Sequence, residues 1–246
     1  MTRCALITGT AGPIGAAIAR RFHAAGYRVC GVDLAATETP VVELALRVDL
    51  DAFVRDEAVR CAALSRVRGW LAEAPLHALI NNAAHQVVSS AHPMPVDAMQ
   101  TSYHVNVIAP YLLVANLAGQ MAPRIGSVVN VGSIHARLSK PGFIAYATTK
   151  AAVAALTRGL ALDYGERFRV NCVEPASVRT PMLVDGFRDC PDALHSLESY
   201  HPQRRIADPD EIAELVFQIS SPDLRFLHGS CIDISGGIGG RLHDPV

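Results

Sequence analysis

The chain has 246 residues, 50% of them hydrophobic and 18% charged, which is enough apolar material for a large buried core. Lysine plus arginine (22) nearly balance aspartate plus glutamate (23), excluding a basic field for nucleic acid and a polybasic patch for a membrane surface. The N-terminal apolar run is four residues long before Gly9. No stretch nears the ~18 apolar residues of a membrane span, so a cytoplasmic protein is expected. Six cysteines, at 4, 30, 61, 172, 190 and 231, form no C-x-x-C pair and read as small core residues. Ten histidines include no H-E-x-x-H, so no catalytic metal is expected.

Short apolar runs alternate with longer amphipathic ones from end to end, which predicts a single α/β domain over residues 1–246 without internal repeats. Residues 4–8, CALIT, read as a buried strand running into GTAGPIG and then the helix AAIARRFHAAG, capped by Gly26. Gly9, Gly12 and Gly15 lack the Cβ that would obstruct a pyrophosphate or hold the helix off the sheet. The helix start offers unpaired N–H groups to phosphate. Residues 27–34, YRVCGVDL, predict the next strand and place Asp33 near its end, eighteen residues after Gly15. A carboxylate there accepts hydrogen bonds from an adenosine ribose and repels a 2′-phosphate, which favours NAD over NADP. No arginine or lysine follows Asp33 within several residues.

Residues 42–50 predict a third strand, 51–73 a long helix, and 76–84, LHALINNAA, a fourth strand. A long helix is expected over 95–121, interrupted near Pro110, with Asn106 in an apolar run where an unpartnered amide is costly. SVVNVG reads as a strand entering a loop, and Ser133 follows it. Tyr146 and Lys150 lie four apart at the head of an alanine-rich helix, so they share a face. A fixed ammonium beside a phenol favours the phenolate, which makes Tyr146 the candidate acid/base. Ser133, thirteen residues upstream, is placed to reach the same substrate oxygen. A strand follows at 169–173, then a polar stretch without clear period, 182–205, expected as a lid loop. Residues 208–220 predict a helix with Asp208 as N-cap, Pro209 at N1 and Glu211 at N3. A last strand, SCIDIS, leads to glycines at 236–240, and residues 238–246 form a tail.

Y-x-x-x-K with a serine thirteen residues earlier, behind a strand, glycine turn and helix, resembles the short-chain dehydrogenase/reductase family from Thr8 to about Gly237. The resemblance implies a Rossmann-type doubly wound parallel sheet of about seven strands with helices on both faces. It implies an NAD-dependent enzyme interconverting a secondary alcohol and a ketone, with Asn106, Ser133, Tyr146 and Lys150 as the catalytic set. In those roles Tyr146 exchanges the substrate proton and Ser133 steadies the substrate oxygen. Lys150 assists Tyr146 and holds the nicotinamide ribose, and Asn106 completes a proton path through water. Further cofactor contacts are implied for Ile14 in the glycine turn, for Asp49 and Leu50 beside the adenine, for Asn82 and Ala83 at the ribose, and for Val178 and Thr180 at the carboxamide. The chain departs from the family pattern at Pro13, Ala84 and Ala176, each standing where a glycine is usual.

Gln86 and His135 occupy positions at which hydroxybutyrate dehydrogenases of the family hold a carboxylate. Lys140 is a further substrate candidate, although the corresponding lysine of that group aligns with Phe143. A small polar substrate is expected, a hydroxy acid or a sugar or polyol. In tetrameric relatives the C-terminus reaches a neighbouring site, which adds Arg241 and His243 as donors for an anion. Helices around 96–121 and 147–164 are apolar over more of their circumference than one sheet contact requires, so a homotetramer is expected. Two other readings stand beside this one: a cofactor-sensing protein that has lost turnover, and a reductase of 3-oxoacyl groups or other ketones.

Overall fold

A computed structural model describes residues 2–35, 39–92, 94–187 and 191–241. The apolar runs form strands β1 (Arg3–Thr8), β2 (Tyr27–Asp33), β3 (Leu44–Arg47), β4 (Leu76–Asn81), β5 (Ser127–Val131), β6 (Arg169–Pro175) and β7 (Cys231–Ile234). All pair in parallel, in the order β3-β2-β1-β4-β5-β6-β7. Helices α1 (Pro13–Ala24), α2 (Leu50–Arg55), α3 (Glu57–Leu71), α4 (Val96–Tyr103), α5 (Ala109–Leu117), α6 (Ile144–Tyr164), α7 (Pro181–Gly186), α8 (Pro191–Tyr200) and α9 (Pro209–Ser220) connect them.

Successive residues of a strand face opposite sides, and each side of this sheet is covered. Cys4 and Leu6 of β1 join Leu79, Val128 and residues of α2, α3, α5 and α6 in one core. Ala5 and Ile7 join Ile80, Val129 and residues of α1 and α9 in the other. Burial on both faces is why the strands read as unbroken apolar runs. Strand order reverses between β1 and β4, which opens a crevice beyond their C-terminal ends, where ligands of such sheets bind.

Pro13 stands at the first position of α1, where its missing N–H costs nothing, and Gly26 (φ +80°) turns the chain after that helix. α9 starts as expected, with Pro209 first and the Asp208 N–H donating to Glu211 Oε2 at 2.9 Å. The Arg205 guanidinium and that N–H hold the Glu211 carboxyl down at about 2.

Four elements differ from expectation. β3 is four residues long, because Asp49 turns the chain and caps α2 through the Asp51 N–H. The helix expected over 51–73 is split, since Asp56 takes an extended conformation and accepts from the N–H groups of Ala58 and Val59 to start α3. The helix over 95–121 breaks at a π-helical turn, His104–Ile108, ahead of Pro110, which sits in the first turn of α5. The stretch 182–205 is a cover with two helices, α7 and α8, rather than a loop; within it 188–190 lie outside the described residues. Among the described residues no helix is long and apolar enough to cross a membrane.

Candidate active site

The glycine turn is held by contacts that leave no room for side chains. A Cβ on Gly15 would collide with the Gly9 carbonyl, and one on Gly9 would stand 2.6 Å from Asn82 Nδ2. Gly12 differs: its Cβ would meet only the Gly9 oxygen, at 3.5 Å, so the protein itself leaves space there for a ligand at the start of α1. Thr8 Oγ1 accepts from the N–H groups of Asn82 and Ala83, both at 3.0 Å. The Asn82 amide donates to the carbonyls of Thr8 and Gly9 at 2.9 and 3.2 Å. Asn82 thus ties β4 to the turn through both its side-chain amide and its backbone N–H.

Asp33, at the end of β2, accepts from Ala11 N–H at 2.9 Å and from Ala35 N–H at 3.0 Å, which fixes its carboxylate beside the turn. Arg47 of β3 is its register partner across the strand pair. Counting residues after Asp33 missed this arginine, because strand pairing and not chain distance brings it near. Asp49 spends its carboxylate on capping α2, and Leu50 is buried at 7% exposure in the core.

At the other end of the crevice, Lys150 is 3% exposed, and its Nζ donates to the Val131 carbonyl at 2.7 Å. That Nζ lies 5.4 Å from the centre of the Tyr146 ring. The spacing read from the sequence therefore does place the pair on one face, in the first two turns of α6. Gly132 precedes Ser133 because a Cβ there would stand 2.7 Å from Cys172 Sγ. Ser133 is 6% exposed and its Oγ accepts from the His135 N–H at 3.2 Å, so the hydroxyl proton is free for another acceptor.

Asn106 is buried in the π-turn. Its Oδ1 accepts from His85 N–H at 2.7 Å, and its Nδ2 donates to the His85 carbonyl and to Thr149 Oγ1, each at 2.9 Å. The amide is fully used in tying the loop after β4 to α6.

Ser133, Tyr146 and Lys150 line one cavity of 960 Å³. Ile14 and Asn82 border it on the side of the glycine turn, and Val178 and Thr180 on the side of β6. Thr180 Oγ1 also accepts from Leu183 N–H at 3.2 Å, starting α7. Gln86, His135 and Lys140 all reach the same cavity, and the cover contributes Leu183, Phe187, Leu197 and His201. His135 stacks on Phe143 with ring centres 4.7 Å apart and meets the Tyr146 ring edge-on at 5.8 Å, while Lys140 Nζ sits 4.5 Å over the Phe143 ring. Burial, and then the Lys140 charge, push the His135 imidazole below its ordinary value, so at neutral pH it is an uncharged hydrogen-bonding group. His243 lies outside the described residues.

Sequence reasoning missed an ionic clamp behind Ser133. Arg137 donates to buried Glu174 at 2.9 Å and to Asp233 at 2.6 Å, binding the turn after Ser133 to β6 and β7. An acid inside the apolar run RVNCVEP was the available signal. Cys172 and Cys231 are register partners on those strands and lie with Glu174 within 4.8 Å of one another, a grouping that scattered positions in the chain do not suggest. Cys61 is exposed and so is not a core residue.

The family model described as enoyl-(acyl carrier protein) reductase matches residues 9–239. This chain belongs to the short-chain dehydrogenase/reductase family. Protein FixR of Bradyrhizobium diazoefficiens is 35% identical over 94% of this chain and 85% of its own. The 4-formylbenzenesulfonate dehydrogenase TsaC1/TsaC2 of Comamonas testosteroni is 33% identical over 95% of this chain and 96% of its own. Among solved structures, ligand-free aldohexose dehydrogenase of Thermoplasma acidophilum superposes with a TM-score of 0.90 at 24% identity, covering 100% of this chain and 97% of that one, which shows the shared fold. As a short-chain dehydrogenase/reductase the chain is an oxidoreductase acting on alcohols or ketones.

Proposed function

We propose that this protein is an NAD-dependent alcohol dehydrogenase that interconverts a small, polar secondary alcohol and its ketone. One observation carries this reading: a buried, tethered Lys150 beside Tyr146 in the cavity that Ser133 also lines. The nicotinamide, when bound, supplies the hydride acceptor in oxidation and the donor in reduction. The remaining chemistry falls to the chain. Tyr146 takes the proton of the substrate hydroxyl, or returns it to the ketone oxygen. The Ser133 hydroxyl, its lone pair engaged by His135 N–H, donates to that same oxygen. Lys150 has three N–H donors and gives one to Val131, so two remain for the ribose and for a proton path through water on the side of Asn106.

The residues fit a dinucleotide. Space at Gly12 admits a pyrophosphate at the start of α1, and Asp33, with lone pairs beyond those given to Ala11 and Ala35, suits a ribose diol. NAD is favoured over NADP on this ground, with Arg47, the register partner of Asp33, as a group that favours a 2′-phosphate. Neutral His135, Gln86 and Lys140 suit a hydroxy acid or a polyol better than a long acyl chain. A sensing protein without turnover has no chemical use for Ser133, Tyr146 and Lys150 together. Incubation with NAD and a panel of hydroxy acids, sugars and polyols tests the reading: growth of the NADH absorbance supports it, and none with any of them removes it. Homotetrameric assembly is part of the same reading, supported by Tyr111 on α5 and Leu162 on α6, which are 48% and 86% exposed.

A further inference from the structure

Beside the substrate cavity lies a smaller one of 390 Å³ whose wall includes Ser199, His201, Arg204, Gly237, Gly240 and Arg241. Its charged lining is entirely basic. His201 belongs to the walls of both cavities. We infer that the smaller cavity is an oxyanion subsite, which takes a carboxylate or sulfonate carried by the substrate away from its reacting carbon. The inference rests on the dehydrogenase reading of the larger cavity.

Three independent features support it. Arg204 holds a left-handed backbone (φ +56°), a conformation natural to glycine, so a costly residue stands where glycine would be free of strain. Its guanidinium makes only a long contact with the Ser199 carbonyl, 3.5 Å, and Arg241 donates to the Tyr200 carbonyl at 2.7 Å. Among the described residues neither arginine has a carboxylate partner, whereas Arg137, Arg179 and Arg205 nearby each hold one. The third feature is His201, 2% exposed: its Nδ1 pairs with the Leu197 carbonyl at 2.9 Å and therefore carries the ring proton, while its buried Nε2 has no partner. With Nδ1 as the donor, Nε2 is a buried acceptor, which is costly without a partner; a hydroxyl of a ligand bridging the two cavities would donate to it, while the oxyanion of that ligand lies on the two arginines. Planar guanidinium groups match the oxygen pairs of carboxylate and sulfonate. Charge recognition at this distance also complements the uncharged His135 beside Tyr146, which hydrogen-bonds but brings no charge.

Calorimetric titration of the full-length protein with inorganic sulfate and with succinate tests this. Both should bind the parent, and Arg204→Gly and Arg241→Ala should each weaken binding tenfold or more. Arg204→Gly should melt no lower than the parent without anion, because glycine accepts the positive φ. Arg225→Ala, an exposed arginine outside the cavity wall, should bind like the parent. NAD affinity, measured separately, should not change in any variant, so a failure of the dehydrogenase reading is distinguishable from a failure of the subsite. Sulfate should compete with an anionic substrate and leave a neutral one unaffected. Equal sulfate binding in parent and both cavity variants, or none in the parent, overturns the subsite. Sulfate binding that leaves the KM of an anionic substrate unchanged overturns its assignment to the substrate.

Discussion

Lys150 donates its ammonium to the Val131 carbonyl at 2.7 Å, so the cation beside Tyr146 is anchored to the strand that delivers Ser133. α6 and β5 are thereby joined through the site itself. Lys150→Met keeps the stem and removes both the charge and this bond. Turnover should fall more than a hundredfold, and NAD affinity should weaken as well. A variant that loses turnover but binds NAD like the parent would show that the lysine does not contact the cofactor.

Asp33 and Arg47 face each other across β2 and β3, and they pull cofactor choice in opposite directions. The parent should prefer NAD to NADP by at least tenfold, about 1.4 kcal/mol. Asp33→Ala should narrow that gap, and adding Arg47→Ala should restore part of it by weakening NADP. Steady-state KM values for both cofactors decide the matter. Equal use of NAD and NADP by the parent would remove Asp33 as the selector.

Much of this site was legible in the chain. The CALIT-to-glycine-turn signal located β1 and α1 because strand, turn and helix preferences agree there, and the Tyr146–Lys150 spacing needed only helical geometry. What escaped was tertiary. Arg47 meets Asp33 through strand register, and Arg137 reaches Glu174 across thirty-seven positions of sequence. The π-turn at Asn106 precedes the proline that predicted a break, because the amide must reach both His85 and Thr149. α7 escaped notice because six residues are too few to show a period, and α8 because it lies in the same polar stretch.

His135 gives the pH dependence. Its imidazole is held below the ordinary histidine value first by burial and then by Lys140, so the folded protein resists protonating it. The unfolded chain takes up that proton near ~6.5, so the contribution of His135 to stability is present above that value and declines as the pH falls below it. His135→Gln should flatten this part of the melting-temperature profile. At neutral pH His135→Ala should raise the KM of a hydroxy acid and of its neutral analogue alike. A much larger rise for the acid would show that the imidazole acts as a cation after all.

Exposed Tyr111 on α5 and exposed Leu162 on α6 require a cover if the assembly is tetrameric. Light scattering at micromolar concentration should give about four times the 26.2 kDa chain mass. Leu162→Glu should shift the particle to a smaller one. A monomeric parent would contradict the assembly.

Replacing Tyr146 by phenylalanine keeps the ring packed against His135 and Phe143 and removes only the exchangeable proton. The measurement that bears most directly on the central claim is single-turnover NADH formation by Tyr146→Phe and by the parent, with a substrate found in the panel, alongside NAD affinity. The rate should be lower by more than a hundredfold with NAD binding nearly intact. A rate within tenfold of the parent would contradict Tyr146 as the acid/base.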